Sequence, residues 1–155
     1  MVGMCILLFC AQLCGGVSKF NGLYNARRDS LEGFWKNIFG HQHGFFVVSS
    51  FFENVAGADS ANKVLQYHPP DGEVMFVACL YDHSGTSSEN DFYSFAAITG
   101  DAPAEILKSG HDRLIIALKE KNLALWLNPE KKGIQEQYQI LDDPKAYAYN
   151  FEPGQ

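Results

Sequence analysis

The chain has 155 residues, of which 46% are hydrophobic and 19% are charged, and its formal net charge is −6. A chain of this length is expected to form one domain, residues 1–155, whose core needs neither a disulfide nor a metal. The acidic balance excludes a protein that coats nucleic acid through bulk positive charge, although it is compatible with a local basic groove.

The N-terminal part of the chain contains an apolar run, Met4–Leu13, which reads MCILLFCAQL. A bilayer-spanning helix needs about 20 residues. A secretory signal carries Lys or Arg before its apolar run, whereas the first basic residue here is Lys19. The run therefore predicts a buried strand in a soluble protein that does not associate with membranes.

The four cysteines are Cys5, Cys10, Cys14 and Cys79. Their spacing matches neither a disulfide framework nor the paired ligands of a zinc site. We therefore expect reduced, mostly buried thiols and a cytoplasmic protein without a metal or other cofactor.

The first predicted helix begins at Asp29, whose carboxylate can cap free N–H groups while Glu32 reaches back to the start of the helix. Apolar residues then recur at helical spacing, namely Leu31, Phe34, Trp35 and Ile38. Gly40 is expected to end this helix.

The middle of the chain is rich in strand-forming residues. Alternating or continuous apolar segments predict strands at 44–52, 63–68, 74–81 and 91–99. The sequence Pro69-Pro70-Asp71-Gly72 predicts a turn, and polar loops are expected at 56–62 and 83–90.

The remainder alternates short helices and strands. Helices are predicted at 103–109 and 119–127, strands at 114–118 and 137–141, and a frayed tail at 151–155. Because strands joined by turns favour antiparallel pairing, the sequence predicts an α+β fold. We expect a curved, mostly antiparallel sheet or a partly open β-barrel with short flanking helices.

The three arginines are Arg27, Arg28 and Arg113. If the segments around Arg27 and Arg113 meet, they form an Arg-lined spot suited to phosphate, which a guanidinium binds through two hydrogen bonds. The alternative is that the arginines form exposed ion pairs with Asp29 and Asp112.

Glu53 and His111 are candidate acid–base residues. Glu53 follows an apolar strand, so partial burial would raise its pKa toward neutral pH, and histidine is the usual proton carrier there. The alternatives are a strand-end glutamate that faces water and a capping or surface histidine. His41 and His43 lack further metal ligands nearby in sequence, and we interpret them as part of a polar loop.

Cys5 follows Met4. If Cys5 became the first residue, its amine and thiol could condense with an aldehyde to an imine and then a thiazolidine. With Met1-Val2-Gly3 retained, Cys5 has no free amine, and the alternative is a small buried hydrophobic residue.

Five motifs follow one another along the chain, and together they resemble the SOS response-associated peptidase (SRAP) family. They are YNARRDSL, SSFFENV, VMFVACLYD, FYSFAAITGDAP and GHDRL with WLNP beyond it. The resemblance covers about Leu23 to Pro129, and its specificity comes from the order of the motifs.

The resemblance implies a protein that responds to DNA damage. The family's N-terminal cysteine bonds to the aldehyde of abasic sites in single-stranded DNA, and self-processing removes any residues before it. By position, Asn25 matches the Asn that orients the cysteine, and Glu53 and His111 match the catalytic Glu and His. Arg27 and Arg113 match the DNA-binding arginines.

The chain departs from the family pattern near its start. The family begins Met-Cys-Gly-Arg, whereas Met4-Cys5 continues as Ile6-Leu7, and Cys14-Gly15-Gly16 is also similar to that start. Only nineteen residues separate Cys5 from Asn25, and the family's longer groove-forming segment is not visible. Asn54 replaces the usual Trp.

Two main hypotheses follow. The first is a monomeric protein that crosslinks itself to abasic single-stranded DNA, and the second is a catalytically inactive remnant with at most weak single-strand binding. A third, a conventional cysteine peptidase using Cys79, is disfavoured because that residue lies in an apolar strand, where a buried thiol is a poor nucleophile.

Overall fold

The architecture comes from a computed structural model that describes residues 25–56, 62–84, 92–108, 110–131 and 133–154. The strands are β1 Asn25–Arg27, β2 His43–Val48, β3 Phe51–Ala56, β4 Asn62–His68, β5 Met75–Ser84, β6 Phe92–Asp101, β7 Arg113–Ile115 and β8 Asn150–Pro153. The helices are α1 Ala104–Leu107, α2 Leu123–Trp126 and α3 Ile134–Leu141, with short 3-10 turns at Arg28–Ser30, Pro70–Gly72, Glu120–Asn122 and Pro129–Lys131.

The described strands form two open sheets. The first has the order β1-β6-β5-β2 with β7 also paired to β6, and the second has the order β3-β4-β8. Within these sheets β1 and β6 run parallel and the other pairs of strands are antiparallel. The predicted α+β class and the mostly antiparallel pairing are confirmed.

The segment that continues β7 lies between β5 and β6, where these two strands diverge. The Ile116 N–H donates to the Ile98 carbonyl, and the Ile116 carbonyl accepts from the Ala78 N–H, each at 2.9 Å. The Leu118 N–H donates to the Phe76 carbonyl at 2.7 Å. These bonds satisfy backbone groups that the gap would leave unpaired, and they fix the residues that precede β7 at one end of β6.

The core lies on both faces of the first sheet because alternate residues of a strand point to opposite sides. On one face Ala78, Leu80 and Ile98 pack with Trp126 of α2 and the turns after β1. On the other face Val77, Ala97 and Ile115 pack with residues of the second sheet, including Phe51. The second sheet, which contains β3, therefore covers this face of the first sheet.

The predicted helix between Asp29 and Gly40 is wrong in type. A 3-10 turn at Arg28–Ser30 is followed by successive turns through His41. The predicted cap is wrong as well, since the Asp29 carboxylate binds the Arg27 side chain. Gly33, a poor helix former, lies inside this segment, and Gly40 ends it with φ of +89° as expected.

The predicted strand at 44–52 is two strands, β2 and β3, separated by Ser49 and Ser50 and belonging to different sheets. The break lets Phe51 stack on Tyr67, with ring centroids 5.3 Å apart, while Ser50 accepts a hydrogen bond from Gln66 at 3.0 Å. The four other strands predicted between 63 and 118 are present with shifted ends.

Two predictions at the C-terminal end are wrong. Residues 137–141 belong to helix α3, whose buried residues Gln137, Ile140 and Leu141 follow helical spacing. The tail expected to fray forms β8, which pairs with β4 from Leu65–Pro153 to His68–Asn150. The helix predicted at 103–109 shortens to α1, and that at 119–127 becomes a 3-10 turn followed by α2.

No helix in the described ranges is long and apolar enough to cross a membrane.

His43, predicted to lie in a polar loop, opens β2 and is buried between two aromatic rings. Its ring stacks on Trp126 with a centroid distance of 3.9 Å and on Phe39 with one of 5.3 Å. Nε2 accepts the Gly40 N–H at 2.8 Å, and Nδ1 lies 3.2 Å from the Trp126 carbonyl. The neutral tautomer with a proton on Nδ1 satisfies both contacts, and burial lowers the pKa of His43 to about 4.

This burial makes the free energy of unfolding depend on pH. Because the unfolded chain binds the proton first, stability is lost as the pH falls from 6.5 toward 4, by about 3 kcal/mol at about 1.4 kcal/mol per tenfold change in acidity. We expect His43→Gln to flatten that dependence in urea unfolding, whereas His41→Gln, which removes an exposed histidine, should retain it. An unchanged slope in His43→Gln would contradict this assignment.

Candidate functional site

Glu53 and His111 form a close pair between the two sheets. Phe51, Glu53 and Val55 are the buried residues of β3, as the alternation of a strand requires. Glu53 Oε2 lies 2.8 Å from His111 Nε2, and the side chains are 11% and 18% exposed. Nε2 has no aligned hydrogen-bond acceptor among the described residues, so this is a short polar contact that becomes an ion pair when His111 is protonated and Glu53 is ionised.

Burial raises the pKa of Glu53, and the attraction of His111 opposes that rise. Removal from water disfavours the charged carboxylate, and a positively charged imidazole favours it. Glu53 can therefore hold a proton at a higher pH than an exposed glutamate, and His111 lies close enough to exchange it.

The backbone before β7 orients His111. Gly110 has φ of +93°, and its N–H donates to the Leu107 carbonyl at 3.1 Å, which ends the turn after α1. The Ala102 N–H then donates to the Asp112 carbonyl at 3.0 Å. His111 is thereby anchored on both sides by residues whose own backbone groups are bonded.

Asn25, Arg27 and Arg113 lie on one face of the first sheet. Asn25 pairs with Ala97 and Arg27 with Thr99, and Asp101 of the same strand pairs with Arg113. Because these positions are two residues apart along each strand, their side chains share a face. The two arginine segments therefore meet, as the hypothesis of an Arg-lined spot required.

Acidic side chains partner both arginines. Arg27 donates to Asp29 through Nε at 3.1 Å and Nη2 at 2.6 Å. Arg113 lies 3.3 Å from Asp101 and 3.8 Å from the same Asp29 carboxylate. The alternative of exposed ion pairs is thus right for Arg27, while Arg113 pairs with Asp101 and Asp29 rather than with Asp112.

Arg28 lies outside this cluster. It binds Asp142 at the end of α3 through two hydrogen bonds of 2.6 Å, and its guanidinium lies 4.6 Å from the Tyr138 ring centroid. This contact joins the N-terminal turns to α3 and leaves Arg27 and Arg113 as the arginines of the site.

The cysteines divide into two groups. Cys5, the candidate nucleophile, lies outside the described residues, as does Cys14. Cys79 is buried, and burial raises the pKa of its thiol to about 12. A thiol of that pKa is almost wholly protonated near neutral pH, which disfavours Cys79 as a nucleophile.

The family model described as SOS response associated peptidase (SRAP) matches residues 14–153, most of the chain. The chain belongs to the SRAP family. Membership associates it with the SOS response to DNA damage. None of the curated proteins matches the chain.

Three solved structures share the fold at low identity. A protein from Bordetella bronchiseptica has a TM-score of 0.69 and 16% identity, covering 85% of this chain and 65% of its own. A protein from Bacteroides thetaiotaomicron has a TM-score of 0.69 and 16% identity, and the match covers 84% of this chain and 58% of that protein. A phage-related protein from Bordetella bronchiseptica has a TM-score of 0.66 and 21% identity, and the match covers 84% of this chain and 62% of that protein. This SRAP chain spans about three fifths of the length of these structures.

Sequence reasoning missed one partner of the site. Asp101 lies within the motif FYSFAAITGDAP, but no role follows from the motif, and its place opposite Arg113 comes from the register of β6 and β7. Asp29 is predicted both as a helix cap and as an ion-pair partner of the arginines, and the structure has the second. Its contact with both Arg27 and Arg113 could not be read from the sequence.

The Glu53–His111 pair predicts a shift measurable by carbon-13 NMR of the side-chain carboxyl. Glu53 should titrate above the ordinary range of glutamate, and His111→Ala should raise its pKa further, because the variant removes the attraction but not the burial. Asp112→Asn is the control that leaves the imidazole in place. A lower Glu53 pKa in His111→Ala would contradict the pairing.

The burial of Cys79 predicts that its thiol reacts slowly in the folded protein. In a Cys5, Cys10 and Cys14 to Ser variant, the remaining thiol should react with an aromatic disulfide reagent only as the protein unfolds, on the order of a thousandfold more slowly than in urea, because a buried protonated thiol must be exposed first. Rapid labelling of the folded variant would contradict its burial.

Proposed function

We propose that this chain binds single-stranded DNA and bonds covalently to abasic sites through an N-terminal cysteine that processing releases. The single observation that supports this reaction best is the 2.8 Å contact between Glu53 and His111. Chemistry on an aldehyde needs an acid and a base within reach of each other, and burial of a carboxylate beside an imidazole costs free energy that a catalytic role accounts for.

The reaction balances without a cofactor. In the closed abasic sugar, Glu53 gives a proton to the ring oxygen while the hydroxyl on the anomeric carbon loses its proton to His111, which breaks the ring C–O bond and exposes the aldehyde. The cysteine amine attacks the aldehyde carbon, the carbonyl oxygen leaves as water after protonation, and an imine forms. The thiol sulfur then adds to the imine carbon while its proton passes to the nitrogen, which closes the thiazolidine ring.

The other site residues would bind the DNA and position the cysteine. Asn25 lies on the same sheet face as Arg27 and would orient the cysteine by its amide. Arg27 and Arg113 would bind backbone phosphates next to the lesion, since their guanidinium groups meet at one place. His111 would carry the proton between Glu53 and the leaving oxygen.

Two cysteines compete for the role of nucleophile. Cys5 directly follows a methionine. Cys14 is the first residue that the family model matches, whereas Cys5 lies before the matched range. Either one would need release of its amine, and the adduct assay below separates them.

The alternative function is that of an inactive SRAP scaffold with weak single-strand binding. The replacement at Asn54 and the spacing of only nineteen residues between Cys5 and Asn25 favour it. In that case the Glu53–His111 pair would persist as a structural contact and no adduct would form.

The test is a denaturing gel with single-stranded DNA that carries one abasic site. We expect a denaturant-resistant adduct that is absent with undamaged DNA and with the Ala variant of whichever cysteine reacts, Cys5 or Cys14. Glu53→Gln should slow adduct formation by about a hundredfold, because a general acid contributes at least that much.

The control for charge is Glu120→Gln, an exposed glutamate in the 3-10 turn before α2, which should react at the parent rate. Adduct formation in both cysteine variants would point to a lysine Schiff base. The absence of any adduct from the folded protein, with intact mass showing a released cysteine, would establish the inactive scaffold instead.

A further inference from the structure

One carboxylate lies against both arginines of the candidate DNA site. Asp29 Oδ2 is 2.6 Å from Arg27 Nη2 and 3.8 Å from Arg113 Nη2, while Oδ1 accepts from Arg27 Nε at 3.1 Å. The carboxylate thus occupies the two-pronged edge of Arg27 that a phosphate would use, since carboxylate and phosphate bind guanidinium with the same geometry.

The charges around this point sum to an acidic site. Arg27 and Arg113 are accompanied by Asp29, Asp101 and Asp112, all three of which act on Arg27. Three carboxylates against two guanidinium groups leave one net negative charge, which repels an incoming phosphate. This local balance matches the acidic character of the whole chain.

We propose that Asp29 is an internal competitor for the DNA phosphate at Arg27 and Arg113, and that it sets the affinity of this SRAP chain for single strands. The inference rests on the proposed function, since it concerns regulation of the same site. A phosphodiester binds by displacing Asp29 from Arg27 and from its longer contact with Arg113, which keeps Asp101 as a partner, and Asp29 then turns toward water.

The geometry favours competition over a purely positioning role. Asp29 follows Arg27 by two residues in a 3-10 turn that is fixed by a hydrogen bond from Ser30 Oγ to the Arg27 carbonyl at 2.9 Å. Its carboxylate is therefore always near the guanidinium, at high effective concentration. It is also 58% exposed, so displacement transfers a charge into water without a large desolvation cost.

Competition by one adjacent carboxylate makes binding selective for multivalent ligands. A lone phosphate must displace Asp29 with a single interaction, whereas a DNA strand offers successive phosphates to Arg27 and Arg113 together. The competitor thus weakens the binding of isolated anions more than that of an extended single strand, and raised salt should screen its effect.

The test uses inorganic phosphate as the probe and follows the Nε–Hε signals of Arg27 and Arg113 by nitrogen-15 NMR. We expect Asp29→Asn to tighten phosphate binding about two- to fivefold at low salt, the range typical of one exposed charge. Undamaged single-stranded DNA, measured by fluorescence anisotropy, should show a gain in the same direction that disappears at high salt.

The matched control is Asp142→Asn, which removes the same charge from an equally two-pronged pair with Arg28, outside the site. It should leave phosphate affinity unchanged. An equal gain in phosphate affinity in Asp142→Asn would show that the change in net charge alone explains the result. Weaker phosphate binding in Asp29→Asn would show that Asp29 positions the arginines instead of competing with phosphate. Either result overturns the proposal.

Two further measures keep the outcome distinct from folding and from the covalent reaction. Asp29→Ser serves as a second variant, with the amide spectrum as the check on folding. The phosphate titration needs no abasic lesion, so adduct formation with an unchanged titration would overturn the competitor and leave the proposed function intact. A tighter titration without any adduct would support the competitor while the crosslinking function fails.

Discussion

The insertion of residues 113–118 between β5 and β6 is the constraint on which the site depends. Hydrogen bonds from Ile116 to both neighbours fix this segment in register, and the residues just before it inherit that position. His111 is thereby brought to the buried face of β3, and Arg113 to the end of β6 opposite Asp101. A site assembled from three separated segments thus depends on one set of backbone hydrogen bonds between β5, β6 and the segment that continues β7.

The same arrangement gives the site two electrostatic environments, one buried and one exposed to water. Glu53 is buried and contacts the imidazole of His111, so burial raises its pKa and His111 opposes that rise. Arg27 and Asp29 lie in water, where ion pairs are individually weak and exchange readily. Proton transfer benefits from the first environment, and reversible binding of an extended anion benefits from the second.

The proposed DNA binding is compatible with an acidic chain because two guanidinium groups lie together on one sheet face. The net charge of −6 is spread over the whole sequence, and two of its three arginines converge on one sheet face. Asp29 lies near both of them, and under the proposed competition it lowers the affinity for simple anions without removing the donors. Recognition of DNA under that proposal depends on the number and spacing of phosphates more than on total charge.

The sequence by itself determined the α+β class, most of the strands in the middle of the chain, the turn at Gly40 and the residue types of the site. These follow from local patterns, namely alternation, apolar runs and glycine at positive φ. The Glu53–His111 contact, the sharing of Asp29 by two arginines and the pairing of β8 with β4 were decided by the tertiary structure. Each joins residues far apart along the chain or depends on strand register, which local periodicity does not encode. The strand predicted at 44–52 is divided at Ser49-Ser50 because packing in two different sheets outweighed a weak local preference. The helix at 134–141 follows a helical spacing of buried residues that the predicted strand at 137–141 overlooked.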